Sequence, residues 1–146
     1  DYERFFKEVK RVTKPGGLLA YWTYSLLQVN PEIDALIRHY HDVVIGPWWD
    51  SARDEVDNGY VNINHPFEEL PVPHIENRMT WTASDLKGYL ETWSGRRNYL
   101  KEHDKDPVGP LMETIYLLWG ADEPLEISMP LHMRLGRIPT TNSNSI

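Results

Sequence analysis

Two adjacent tryptophans, Trp48 and Trp49, stand just ahead of Arg53, and this trio is the densest chemical signal in the chain. Indole faces can wall a ligand pocket or attract a cation; equally, they can simply pack a helix against a sheet. Adjacent side chains on regular structure point apart, so both cannot face one surface. A guanidinium fork matches a carboxylate through two hydrogen bonds. Arg53, Arg96 and Arg97 are therefore the candidates for gripping an anion, set against the plain reading of solvated surface arginines. Tyr89 and Trp93 share one helical face with Leu86 and Leu90, and read either as core or as cover over a pocket. His39 and His41, with Asp42 beside them, sit two apart; on a helix such residues do not face each other, which excludes a metal pair there. His65, His74, His103 and His132 are scattered, and no spacing joins one of them to a serine and an acid. Asp50, Asp54, Glu55 and Asp57 carry the charge of a calcium loop without its alternating ligands and central glycine. No catalytic residue and no metal set emerges.

The 146 residues carry 15 Lys and Arg against 22 Asp and Glu, a formal charge of −7, and contain no Cys. An acidic balance argues against nucleic-acid binding, which needs a basic footprint. The missing cysteines exclude disulfide scaffolds, thiolate nucleophiles and cysteine-ligated zinc. No apolar run reaches a membrane span and no signal-peptide pattern opens the chain, so the expected setting is cytoplasmic, without nucleic acid or membrane as partner. Six Trp and 8 Tyr in so short a chain point to a pocket or an interface.

The elements that must position these residues are legible from periodicity. Tyr2, Phe5, Phe6, Val9 and Val12 predict a helix, broken by Pro15-Gly16-Gly17. The unbroken run Leu18 to Tyr24 predicts a strand buried on both faces of a parallel sheet. Asn30-Pro31 opens a second helix, whose stripe runs from Ile33 to Val44. Asp50 to Asn58 suggests one or two helical turns stopped by Gly59, residues 60–74 a loop, and Ile75 to Trp81 a strand. Thr82 to Asp85 approximates a capping box for a helix carrying Leu86, Tyr89, Leu90 and Trp93. Ser94 is expected to cap the next helix, reaching about His103. Asp106-Pro107 starts another, stopped by Gly120. Strict alternation from Leu125 to Leu135 predicts an antiparallel strand, with Pro130 implying a bulge or an edge.

The run Phe6 to Leu19, with its Lys14-Pro15-Gly16-Gly17 turn, resembles the segment leading into the fifth strand of class I S-adenosylmethionine-dependent methyltransferases. Gly46-Pro47-Trp48-Trp49-Asp50 with Arg53, Val56, Asp57, Gly59 and Tyr60, then Pro66-Phe67-Glu68-Glu69 and Tyr89-Leu90-Glu91-Thr92-Trp93-Ser94, is similar to the type 11, trans-aconitate-methyltransferase-like branch. The resemblance implies an α/β fold: the C-terminal part of a Rossmann-like sheet, with one parallel-type strand, two antiparallel-paired strands and helical cover. Residues 1–139 would form this C-terminal portion, including the substrate-covering helices, and residues 140–146 a polar tail.

The resemblance further implies S-adenosylmethionine as cofactor and methyl transfer to a small molecule, with a carboxylate or similar oxygen as acceptor. Trp48, Trp49, Arg53, Tyr89 and Trp93 are then the expected substrate-binding residues. The family's glycine-rich cofactor loop has no counterpart here, since the sequence contains no Gly-Xaa-Gly. The expectation is that no cofactor-binding residue lies in this chain, that an N-terminal half or a second copy is its partner, and that it is inactive alone. The rival expectation is a non-catalytic small-ligand-binding or assembly module derived from the same fold. Tryptophan content alone also allows an aromatic carbohydrate platform.

Overall fold

The computed structural model describes residues 1–120 and 123–140. Two compact units emerge, one formed by Asp1–Ser25, Asp54–Ile75 and the stretch from Leu131 onward, the other by Leu26–Arg53 and Glu76–Pro130.

In the first unit, helix α1 (Tyr2–Val12) opens on Asp1, whose carboxylate accepts the Arg4 N–H at 3.0 Å, and ends with Lys10 and Arg11 in its last turn. Acid at the start and base at the end both suit the helix dipole. The glycines after the helix are sterically required. Gly16 has φ +74°, and a Cβ on Gly17 would lie 2.5 Å from Thr13 Cγ2 and 2.8 Å from the Lys14 carbonyl. Strand β1 (Leu18–Tyr24) comes next, antiparallel to strand β4 (Leu125–Arg137) with Leu18 opposite Arg137 and Tyr24 opposite Leu131. A short strand β2 (Glu68–Leu70) pairs with the other side of β4 at Leu135 to Arg137. Phe6, Ile63, Phe67 and Ile138 are buried together as the core of this unit.

The second unit is mainly helical: α2 (Pro31–His39), α4 (Ala83–Glu91), α5 (Ser94–Tyr99) and α6 (Val108–Trp119). Its core gathers Ile33 and Ile37 of α2, Leu86 and Leu90 of α4, and Met112 and Ile115 of α6. These are the stripes that a 3.6-residue period selects. Strand β3 (Ile75–Trp81) pairs with β4 as well, giving four strands, with order β1-β4-β2 along the main path. A short helix, α3 (Arg53–Asp57), stands where the chain passes between units and ends near Gly59, φ +62°.

The α/β class with antiparallel final strands stands, and several local expectations are corrected. β1 pairs antiparallel, and its side chains alternate: Thr23 is buried, whereas Leu18, Trp22 and Tyr24 are about half exposed. An unbroken apolar run cannot distinguish two buried faces from one covered and one bare. β2 lies inside the stretch expected to be loop, too short to show a period. Ser94 is the first residue of α5 rather than its cap; Trp93 holds the cap position without a side-chain bond. α5 stops at Tyr99, short of His103. Pro130 is accommodated within β4 because the β1 ladder begins at Leu131, beyond the missing N–H. The tail expected over residues 140–146 lies, past Thr140, outside the described residues.

Candidate functional site

The aromatic residues are positioned by an irregularity after α2. Residues Tyr40–Val44 widen into a π-turn, closed by Ile45 N–H donating to the Tyr40 carbonyl at 3.0 Å, and Gly46–Trp48 then tighten into a 3₁₀ turn. A π-turn of this kind inserts one residue and re-aims the side chains beyond it. Trp48 and Trp49 leave this turn in different directions. Trp48 packs edge-on against Tyr99 at 4.7 Å and His103 at 5.1 Å between ring centroids, and its carbonyl accepts from Asn98 Nδ2 at 3.0 Å. Trp49 lies against His41 at 4.9 Å and Trp93 at 5.7 Å, with its Nε1 donating to the His41 carbonyl at 3.1 Å. The Arg53 guanidinium carbon sits 4.7 Å from the Trp49 ring, a cation–π contact. Tyr89 meets Trp93 edge-on at 5.8 Å and Trp81 at 5.3 Å. Trp81, Tyr89, Trp93, Trp49 and Arg53 thus form a row of touching groups within the second unit, with Trp48 in a separate stack.

Trp93 is buried, while Trp49, Tyr89 and Arg53 are partly exposed. The row offers π faces and one cation; it contains no nucleophile paired with a base. Arg96 belongs to the frame: its guanidinium is paired with the Asp106 carboxylate and also donates to the Glu91 carbonyl at 2.9 Å. Asp106 is held below the usual carboxylate range chiefly by that bond. This engagement removes Arg96 from the anion-gripping candidates, and Arg97 is simply exposed. Tyr40 is buried with its hydroxyl unpartnered, and burial raises its pKa, so it remains protonated.

The first unit holds polar contacts that spacing could not reveal. Tyr21 Oη lies 3.2 Å from His65 Nδ1, in a nest of Phe6 and Phe67 rings. Arg134 donates to the Glu69 carboxylate at 2.7 Å and to the Tyr60 and Ile63 carbonyls at 2.9 and 2.7 Å. Ser25 Oγ and His132 Nε2 are 2.6 Å apart across the β1–β4 pair, although 107 positions separate them in sequence. A hollow of about 950 Å³ also lies along α1, lined by Tyr2, Phe6, Lys7, Lys10 and Phe67 among others; none of the sequence-predicted site residues faces it. Among the described residues, no three metal-binding side chains gather, and no helix is long and apolar enough to cross a membrane.

A cradle for S-adenosylmethionine would show as glycines opening a hollow at a strand-to-helix turn. The connection from β1 to α2 has no glycine, and several N–H groups in it and in the first turn of α2 are already engaged. Gln28 exchanges two hydrogen bonds with Ser128, Val29 N–H donates to Asp34, and the Glu32 and Ile33 N–H groups donate to Asn30. The hollows at Gly17, Gly95 and Gly136 are filled by Thr13, Trp49 and His65 of this chain. The β1–α2 connection does not fit the cofactor.

No protein-family model matches the chain. It is 26% identical over 140 residues to a Dictyostelium discoideum protein named "Putative methyltransferase", covering 91% of this chain and 53% of that protein. A solved structure described as "a Putative Type II Methyltransferase from Anaeromyxobacter dehalogenans" superposes with a TM-score of 0.87 at 33% identity, over 95% of this chain and 60% of that one. The chain thus spans about half the length of the curated relative it matches. These homologues support a methyltransferase family and a methyltransferase-family function.

Proposed function

We propose that this chain is the acceptor-side, C-terminal portion of an S-adenosylmethionine-dependent methyltransferase of the type 11, trans-aconitate-methyltransferase-like branch. The complete protein transfers a methyl group to an oxygen of a small molecule in the cytoplasm. The observation that carries this reading is the likeness, at 33% identity and over 95% of this chain, to a structure described as a methyltransferase. On this reading residues 1–139 are one portion of a methyltransferase-like domain, and the donor is held by protein outside it. The row of Trp49, Arg53, Tyr89 and Trp93 walls the acceptor, with Trp48 bracing the turn that presents Trp49. Alignment and exclusion of water are the contributions of such a wall. The glycine-free β1–α2 connection favours a second reading for the chain by itself: a small-ligand-binding or assembly module without turnover.

On the methyl-transfer reading the test is made on a protein that carries this portion together with the donor-side portion. Calorimetry should show saturable S-adenosylmethionine binding, and incubation with a panel of hydroxyl and carboxyl acceptors should release S-adenosylhomocysteine. Arg53→Ala should weaken anionic acceptors more than neutral ones, by about ten-fold for loss of a charge-assisted bond. Absence of donor binding by the longer protein would leave the non-catalytic module as the surviving reading.

A further inference from the structure

The Ser25–His132 pair is built into the first unit by several independent features. His132 and Arg134 are two apart on β4 and so project from the same face of the strand. Arg134 pins the carbonyls of Tyr60 and Ile63, which fixes the loop after α3. That loop contains two consecutive residues with left-handed backbone, Gly59 at φ +62° and Tyr60 at φ +64°, the second an unfavourable conformation for a tyrosine. The loop backbone is thereby pressed onto the imidazole. A Cβ on Gly59 would lie 2.9 Å from His132 Cγ and 3.2 Å from Nδ1. Braced on that side, the ring directs Nε2 at Ser25 Oγ, the first residue beyond the carboxyl end of β1, at 2.6 Å. His132 is exposed and lines a cleft of about 550 Å³ together with Val61, Glu69, Val72, His74 and Arg134.

A base within hydrogen-bonding reach of a hydroxyl, its ring held by a second contact, is the arrangement that moves protons between oxygen and nitrogen. A carboxylate acceptor has no use for it, being ionised near neutrality. We propose that the cleft beside His132 binds a weakly acidic hydroxyl compound, such as a phenol or enol, and that His132, held by Ser25 and Gly59, serves as the base for its proton. In the step, the ligand O–H bond breaks and its bonding pair stays on oxygen; its proton passes to Ser25 Oγ as the Ser25 Oγ–H proton passes to His132 Nε2. The imidazolium Nε2–H then donates to Ser25 Oγ, whose own proton turns to the oxyanion.

The probe is 4-nitrophenol, which turns yellow on ionisation, titrated into the 146-residue chain at a pH where the free phenol is largely neutral. Bound phenol should show the phenolate band without any methyl donor. His132→Gln and Ser25→Ala should each abolish the band, since each removes one link between the ligand proton and the imidazole. His39→Gln, at an exposed histidine outside this cleft, should leave the band in place. Circular dichroism and the unfolding midpoint establish that each variant is folded. Absence of binding, binding of the neutral phenol alone, or a band that survives His132→Gln would overturn the proposal. Such a failure alongside intact donor binding by the longer protein would remove the proton role and leave methyl transfer standing.

Discussion

Gly95 of α5 lies directly under the indole of Trp49: a Cβ placed there would come 2.9 Å from Trp49 Cδ2 and 3.0 Å from Cε2. The contact explains a glycine inside a helix, where it costs about 1 kcal/mol relative to alanine. The backbone of α5 must approach the ring closely, and that approach sets the angle at which Trp49 meets Trp93 and Arg53.

Gly95→Ala should therefore push Trp49 off the helix. Overpacking of this kind costs roughly 1–3 kcal/mol against the propensity gained. The expected result is a lowered unfolding midpoint with changed tryptophan fluorescence. An alanine variant at Gly88, where nothing lies within 4 Å, should instead be neutral or stabilising. Equal behaviour of the two variants would mean that the Trp49 contact constrains nothing.

His65 gives stability a pH dependence whose sign is set by its surroundings. Burial, and then the nearby Arg134 charge, lower its pKa below the ordinary 6.5. The folded state therefore favours the neutral ring. That contribution is complete above the ordinary value and is lost as pH falls through the lowered one. The unfolding midpoint should drop as pH falls below the ordinary histidine value, ahead of the carboxylate range. His65→Gln should flatten this segment of the curve. Glu69 and Asp106, whose carboxyls are held low by Arg134 and Arg96, should shape only the more acidic limb.

A residue's place in the fold and the site is legible in the sequence where its role is local. The capping box at Thr82 and Asp85 forms with both of its bonds, and Gly120 ends α6 at φ +83°, because each depends on neighbours three or four positions away. The parting of Trp48 from Trp49 also comes from adjacency alone. The π-turn that aims them does not, since the apolar stripe from Ile33 to Val44 continues through it as an ordinary helical period. β2 has three residues and no period to detect. The fate of Arg96 is decided by Asp106 on another segment, and the Ser25–His132 pair by the register of β1 on β4. Long-range pairing writes no signal into spacing.

The engaged backbone between β1 and α2 also bears on the donor. With the N–H groups of Gln28, Val29, Glu32 and Ile33 all bonded within the chain, the connection has no backbone donors left at those positions for a nucleoside. Calorimetric titration of the 146-residue chain with S-adenosylmethionine should give no saturable heat. Micromolar binding would show that the cradle lies elsewhere in the chain.

β1 carries the last prediction. One side of the strand pairs with β4; the other has no partner among the described residues. Leu18, Trp22 and Tyr24 are 54%, 55% and 48% exposed along it, large apolar groups beside unpaired N–H and C=O groups. Such an edge is a template for another strand, because pairing satisfies the backbone and buries the side chains together. Burying a tryptophan or leucine contributes roughly 1.5–3 kcal/mol each, enough for association at modest concentration. The 146-residue chain should therefore self-associate, its sedimentation coefficient rising across a concentration series. Trp22→Lys, placing a charge on the edge without touching β4 pairing, should shift that rise to about ten-fold higher concentration or beyond, the change that about 1.4 kcal/mol produces. A compact monomer that persists at high concentration in both forms would mean that side chains of this chain already shield the edge.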